Sequence, residues 1–482
     1  MLLAPLRFFP SRSKVLLSFA AALLILAPEV VRAQAVYGSI GGTVTDASGG
    51  IVPGATITIT SVERKAIDVV TSNESGYYLK ERLLPGTYTV QAELQGFKTA
   101  LYNDLKVSVD TQTRLNVKLE PGAVTESVRV EASTPVLKTD RADVASTFEA
   151  QQITDMPILD RNLTKLVLLT PGTQQLMWQH AASENPQGST QTMVNGQHFS
   201  GTGYQLDGTD NRDPVLGIIV INPNFESIQE TKITSQNYDA EFGQATAGVV
   251  SVQTRSGTNS IRGSGFEFYQ NDAFQSRNPF TQALPDPLTG KFIPDTKKNQ
   301  YGGSVGGPIQ KDRLFFFGDY QGTRSNVGGS RLLSVPTAAA RNGDLSAYGI
   351  NIYDPTSGAT PATRTQFTNN TIPAGRLSPQ AQNILKLIPV PNRPGTENGT
   401  RDNYVGNGSE VFNNDTFNVR LDGRVNSRLN MFGRYSFADY TRNGPTAFGQ
   451  GGGQELVTLG GDSKVRNQSL AIGADRTIGS NM

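Results

Sequence analysis

Between residues 36 and 121 apolar and polar side chains alternate with a period of two. Ile57 and Ile59 alternate with threonines, and Tyr88, Val90 and Ala92 alternate with Thr87, Thr89, Gln91 and Glu93. Leu115, Val117 and Leu119 do the same against Asn116, Lys118 and Glu120. A strand sends successive side chains to opposite faces, so each run predicts a strand with one buried face. Turn-forming clusters separate the runs, at residues 46–50 and 73–76, at Pro85-Gly86 and at Gln95-Gly96. Short strands punctuated this often predict a small β-sandwich over 36–121.

The pattern changes over 139–258, which reads as mixed α/β. Asp160 is the expected cap of a helix whose Leu163, Leu166, Val167 and Leu169 make an apolar stripe, stopped by Pro171-Gly172. Asn195-Gly196 and Asp207-Gly208 are expected turns beside short strands. Val249, Val250 and Val252 sit almost side by side, as in a strand buried on both faces.

After Ser260 the period of two returns in another form. Phe266 and Phe268 share one face, with Gly265, Glu267 and Tyr269 on the other. Phe417, Val419, Leu421 and Gly423 oppose Asn418, Arg420, Asp422 and Arg424. Met431, Gly433, Tyr435 and Phe437 oppose Phe432, Arg434 and Ser436, across the short turn at 426–428. Apolar-out, polar-in alternation with short turns on one side is what a bilayer-spanning β-barrel requires. A long polar insertion, 325–411, is expected as an extracellular loop. It holds one helix, with Ser378 as N-cap, Pro379 in the first turn and Ala381, Ile384, Leu385 and Ile388 on one face.

Composition narrows the class. Lys+Arg is 43 against Asp+Glu 42, a balance that excludes the basic surface of a nucleic-acid binder. Without cysteine, neither disulfides nor thiolate chemistry is available. Arg7, Arg12 and Lys14 precede an apolar run, 15–27, and Ala33-Gln34-Ala35 offers small residues for cleavage. Residues 1–35 are therefore an expected signal peptide, cut after Ala33 or Ala35, which directs the protein out of the cytoplasm.

Three stretches, in order, carry a resemblance to a known family: MPILDRNLTKLVLLTPG, VNGQHFSGTGYQLDGTDNRDP and IQETKITSQNYDAEFGQATAGVVSVQTRSGTNSIRGSGFEFYQN. They look like the plug of TonB-dependent outer-membrane receptors, in the Oar-like subgroup. LFFFGDYQGTR and NTIPAGRLSPQAQNILKLIPVPN are similar to barrel and loop segments of the same receptors. GGTVTDASGGIVPGATITIT and SGYYLKERLLPGTYTVQAELQGF resemble carboxypeptidase-regulatory-like domains, which share a transthyretin-like or carbohydrate-binding-like sandwich. The expected fold is mainly β: a small transthyretin/Ig-like sandwich (36–121), a linker (122–138), an α/β plug (139–258) and the first strands of an antiparallel transmembrane barrel (259–482).

The resemblance implies a receptor that imports a ligand across the bacterial outer membrane, driven by a TonB-type energy-coupling protein in the periplasm. Such receptors carry a short strand that the coupling protein captures at a sheet edge. Glu126, Ser127, Val128, Arg129 and Val130, in VTESVRVEA, are the candidates here; a plain linker strand is the alternative. Tyr204, Asp207, Asp210 and Arg212 are candidate ligand contacts at the plug apex. The ligand class (siderophore, glycan, peptide or protein) stays open, and nucleic acid is not expected. An adhesion or surface-structural protein is the rival reading. About 22 strands close such a barrel; room for six to eight implies a fragment of a longer wall.

Catalytic patterns fail on their own chemistry. Gly302-Gly303-Ser304-Val305-Gly306 has the G-x-S-x-G form, but both histidines, His180 and His198, precede it. The run from Asp207 to Asp213 has oxygen-bearing residues at alternate positions, yet Arg212 occupies the place of the EF-hand glycine. No cofactor, metal or catalytic residue is expected.

Overall fold

A computed structural model describes residues 37–124, 127–131, 142–176, 183–280, 282–426 and 429–476. The expected signal peptide lies outside the described residues, as do Glu126, His180 and most of the linker.

The first unit has nine strands: β1 (Gly38–Asp46), β2 (Thr56–Ser61), β3 (Ile67–Thr71), β4 (Tyr77–Leu83), β5 (Gly86–Glu93), β6 (Thr99–Val107), β7 (Gln112–Arg114), β8 (Val117–Leu119) and β9 (Ser127–Glu131). One sheet runs β4-β1-β7 with β8 also on β1; the other runs β3-β2-β5-β6-β9. Between them lie Ile40, Val44, Ile57, Ile59, Val90, Leu105, Val117 and Leu119, all buried. The alternation in the sequence is the cause: each strand gives alternate residues to this core. Burying each such side chain is worth about 1.5–3 kcal/mol.

The plug follows with β10 (Val144–Glu149), a helix at Ala150–Asp155, β11 (Thr173–Gln175), β12 (Thr192–Val194), β13 (Gly203–Leu206), β14 (Thr209–Asp210), β15 (Ile228–Gln236) and β16 (Val249–Thr254). Its main sheet has the order β10-β15-β16-β13-β14, with β13 and β16 parallel. All six residues of β16 are buried, as its β-branched run predicts.

The expected helix after Asp160 takes a different form. Residues Leu163–Leu169 are 3-10, and Asn162 is the cap, its side chain accepting the Thr164 N–H at 3.1 Å. Asp160 instead adopts φ 65° and turns its carboxylate to Lys165 and Lys298. Leu163, Leu166 and Val167 are buried, whereas Leu169 is 55% exposed.

Six antiparallel strands form the last sheet, in sequence order: β17 (Arg262–Asn271), β18 (Thr296–Gln310), β19 (Leu314–Leu333), β20 (Tyr404–Asn426), β21 (Leu429–Gly444) and β22 (Gly461–Arg476). In β20–β22 the faces divide as the alternation predicts. Asn418, Arg420 and Asp422 are buried toward the plug; Val419, Leu421, Leu470 and Ile472 are exposed on the other face. The sheet is open: among the described residues β17 and β22 each have one hydrogen-bonded neighbour.

The insertion is shorter than 325–411. β19 and β20 stay paired from Ser325↔Phe412 to Leu333↔Tyr404, so the irregular loop covers 334–403. At about 3.3 Å per residue, the 23 residues of β20 reach far past the ~25 Å apolar band of a barrel. Outside that band neither face needs apolar residues, so polar Gly-Ser-Asn sequence there hides the ladder. Within the loop the helix Pro379–Leu387 forms where expected, capped by Ser378.

Candidate functional site

The contacts that seat the plug against the wall are mostly polar. At their centre is Asp207. It has φ 51° and the following Gly208 φ 76°, the pair of positive angles that a tight two-residue hairpin turn between β13 and β14 demands. The turn aims the carboxylate into the seam. There Oδ1 accepts the Thr254 N–H at 2.8 Å and an Arg420 Nη1–H at 2.7 Å, while Oδ2 accepts the Thr254 hydroxyl at 2.8 Å. Arg434 Nε lies 2.8 Å from Oδ2 as a charge contact off the hydrogen-bond line.

Arg420 is held from its other side by Asp422, with two bonds of 2.9 Å each. Arg434 donates to Ser436 Oγ at 2.6 Å and to Thr209 Oγ1 at 3.2 Å. Two carboxylates and two guanidinium groups thus form a neutral quartet. Arg420, Arg434 and Asp207 have side chains no more than 1% exposed. Buried charges of this kind are tolerable only when paired, and removing one member costs about 3–5 kcal/mol.

Other plug–wall contacts reach the remaining strands. Arg161 binds Glu226 at 2.5 Å and lies over the rings of Phe225, Phe266 and Phe268 at 5.0, 4.6 and 4.8 Å. The paired phenylalanines of β17 therefore face the plug. Lys298 of β18 meets Asp160. Asn224 donates to Asp319 of β19, which also accepts from Asn418 at 3.1 Å. Arg442 of β21 donates to the Pro186 carbonyl at 3.1 Å, and Asn467 of β22 to the Val220 carbonyl at 2.6 Å.

A second polar seam joins the sandwich to the plug. Lys232 of β15 is 1% exposed and contacts Asp110 at 2.7 Å and Asp143 at 2.8 Å. Glu230 Oε1 accepts the Val109 N–H at 3.0 Å. Burial pushes the Glu230 carboxyl up to about 7, the Val109 N–H opposing the rise.

The expected apex contacts need correction. Tyr204 and Asp207 are buried, and the charges of Arg420 and Arg434 occupy the Asp207 carboxylate; neither side chain reaches the surface. Asp210 and Arg212 are accessible but make local bonds. Asp210 Oδ1 accepts the Arg212 N–H at 3.2 Å, and Arg212 Nη1 donates to the Ser200 carbonyl at 2.7 Å. Of the candidate coupling strand, Ser127, Val128, Arg129 and Val130 lie in β9, the outermost strand of the five-stranded sandwich sheet, paired in parallel with β6. Sequence reasoning missed Arg420, Arg434 and Lys232 as interdomain contacts. The available signal was charge on the inward face of a wall strand.

Ser304 sits in the wall, its hydroxyl 2.8 Å from that of Ser264. Asp110, Asp239 and Glu241 bring carboxylate oxygens within 4.8 Å of one another, but Asp110 is already bound to Lys232.

Comparison with known proteins bears on this arrangement. Residues 253–482 match the family model "Outer membrane beta barrel domain", and residues 39–120 match "Carboxypeptidase regulatory-like domain". The TonB-dependent transporter Oar of Myxococcus xanthus is 26% identical over 325 residues, 64% of this chain and 29% of that protein. The chain spans less than a third of that relative's length. Among solved structures it is similar to the outer-membrane transporter YddB of Escherichia coli, with a TM-score of 0.43 and 11% identity over 69% of this chain and 37% of the other. It is also similar to the ferric enterobactin receptor PfeA of Pseudomonas aeruginosa, with a TM-score of 0.38 and 13% identity over 70% and 39%. The six-stranded sheet lies within the stretch matched by the outer-membrane barrel model, and most of the sandwich within the stretch matched by the regulatory-like model.

Proposed function

We propose that the chain is the sandwich, plug and early wall of a TonB-dependent receptor that imports an extracellular ligand. The supporting observation is the Asp207–Arg420–Arg434–Asp422 quartet. It holds the plug by hydrogen bonds and ion pairs, contacts that water can replace when the plug moves. An apolar seam would expose oily surface at every displacement, at about 25 cal/mol per Å².

In this reading residues 1–35 are a signal peptide, and the short-turn end of the wall, with the sandwich, faces the periplasm. The loop 334–403 faces outward. Further strands continue the wall beyond β17 and β22, because unpaired N–H and C=O groups cannot face lipid. The ligand is a siderophore, glycan, peptide or protein, bound by the outer loops and the accessible top of the plug. The partner is a TonB-type coupling protein that grips the strand containing residues 126–130, and no catalysis is involved.

The experiment is deletion of residues 124–132 from the full-length receptor in cells. Loss of growth on the nutrient it imports, with normal outer-membrane levels, is the expected outcome. Unchanged growth and unchanged surface attachment would instead favour a display or adhesion role.

A further inference from the structure

The sandwich touches both partners of the plug–wall seam. On the plug side, Asp110 takes the buried Lys232 ammonium through its carboxylate at 2.7 Å and its carbonyl at 2.8 Å. Val109 donates its N–H to Glu230, and Lys106 pairs with Glu149 at 3.0 Å. On the wall side, Arg82 binds Asp475 of β22 at 2.5 Å, and Arg424 of β20 bonds the Ile67 carbonyl. At the junction of plug and wall, Asn259 donates its backbone N–H to the Glu63 carbonyl at 3.3 Å and its amide to the Arg64 carbonyl at 2.7 Å. Asn259 also ties to Asp312 in the β18–β19 turn, at 2.7 and 2.8 Å. One small domain therefore spans from plug to wall at the short-turn end.

The position of β9 gives this bridge a mechanical sense. It pairs with the first half of β6, from Thr99↔Ser127 to Asn103↔Glu131. The same β6 chain then runs on through Lys106 to Val109 and Asp110, the residues that grip the plug. A load on β9 passes along β6 in shear and arrives at the Lys232 and Glu230 contacts. Among the described residues the outer edge of β9 has no neighbour in the sheet, and it can accept one more strand.

We propose that the sandwich is a clasp joining plug to wall, and that β9 is the tab by which it is opened. This rests on the transport reading for the identity of the partner: an extended strand of the coupling protein adds to β9 while β9 remains on β6. Pulling then draws the sandwich away, breaks its ion pairs with Lys232 and Asp475, and uncovers β15 before the plug itself moves. The Asp207 quartet would yield after the clasp.

Two measurements test this on the full-length receptor in lipid nanodiscs. The first is amide hydrogen exchange in the Asp110→Ala/Arg82→Ala variant. Exchange in β15 should rise at least tenfold while β5, in the sandwich core, keeps its native rate. An unchanged β15 with a native β5 overturns the clasp. Should β5 accelerate too, the pair Glu63→Cys/Asn259→Cys replaces that variant, tying sandwich to wall without opening a cavity. Its oxidised form should slow β15 exchange relative to its reduced form, and equal rates overturn the clasp.

The second measurement locks the tab. The chain contains no cysteine, so Ala100→Cys/Val128→Cys places a single disulfide across a β6–β9 pair whose Cα atoms are partners. The purified periplasmic domain of the coupling protein is the probe. It should bind oxidised and reduced forms within about twofold of each other. A tenfold loss on oxidation means that β9 must leave β6 to be captured, and overturns the tab. Binding to neither form overturns the tab and the transport reading together, while the exchange result still decides the clasp.

Discussion

The sandwich interior and the plug–wall seam are both buried, yet they are made of opposite materials. In the sandwich, Ile57, Ile59, Val90 and Leu105 interlock at no more than 1% exposure, with no charge among them. In the seam, equally buried positions hold Arg420, Arg434 and Asp207. An apolar core gains from every Å² removed from water and loses all of it on opening. A satisfied polar seam gains little net, because its groups exchange one set of hydrogen bonds for another. The first is suited to remain closed, the second to open and close within one folded chain. Specificity separates them as well: any apolar residue of the right size fills a core, but one carboxylate in one turn fits between two guanidinium groups.

The sharpest way to break the comparison is to remove the seam's central charge. Asp207→Ala leaves Arg434 buried without its carboxylate, and about 3–5 kcal/mol of plug seating should be lost. Protease digestion in detergent should then cut the plug while the sandwich and wall strands survive. The converse substitution, Asp207→Leu and Asp422→Leu with Arg420→Met and Arg434→Met, removes the whole quartet and turns the seam into a core. Such replacements are often neutral or stabilising, so the plug should resist urea at least as well as in the parent chain. In the proposed transport role, a full-length receptor built this way should import nothing. On the sandwich side, Ile59→Ala should cost about 2–5 kcal/mol and shift only the sandwich transition in urea, leaving plug digestion unchanged.

The lipid-facing side of the wall offers a test of intermediate size. Leu470 and Ile472 are 69% and 70% exposed on the outward face of β22. Ile472→Lys should lower folding stability in bilayers by up to about 2–4 kcal/mol. In detergent micelles, where the head can reach water, a much smaller loss is expected. Equal losses in both media would place this face away from lipid.

What could be read from the sequence follows from the range of the signal. Val419 and Leu421 against Asn418 and Arg420 reveal a wall because neighbouring residues on one strand see two media. Ser378 announces its helix, and Asp207-Gly208 its turn, through bonds that close within a few residues. The partner of Asp207 is 213 positions away, and no local pattern points there. The same holds for Lys232 and Asp110, 122 positions apart. A charged residue on an inward strand face or beside a hairpin reads as solvated until the other surface is in place. The ends of β19 and β20 were hidden for a different reason. Beyond the apolar band the paired strands need no apolar–polar alternation, so their ends leave no period of two in the sequence.

A pH-dependent test concerns Glu230, a carboxyl buried in the sandwich–plug seam. Its carboxyl is 4% exposed and pushed up to about 7 by burial, against an ordinary value of 4.5. Below pH 4.5 both folded and unfolded chains hold the proton, and the group contributes no pH dependence. Between 4.5 and 7 the folded chain keeps a proton that the unfolded chain has released, so stability falls as pH rises; above 7 the loss is complete. The full shift corresponds to on the order of 3 kcal/mol, spread across that window and shared with every other carboxylate titrating there. Urea midpoints of the parent chain at pH 5 and pH 8 should therefore differ more than those of Glu230→Gln, whose side-chain oxygen can still accept the Val109 N–H. A parent and variant with the same pH slope would mean that Glu230 is ionised in the folded chain across this range. The sandwich–plug seam would then be fully charged, like the quartet around Asp207.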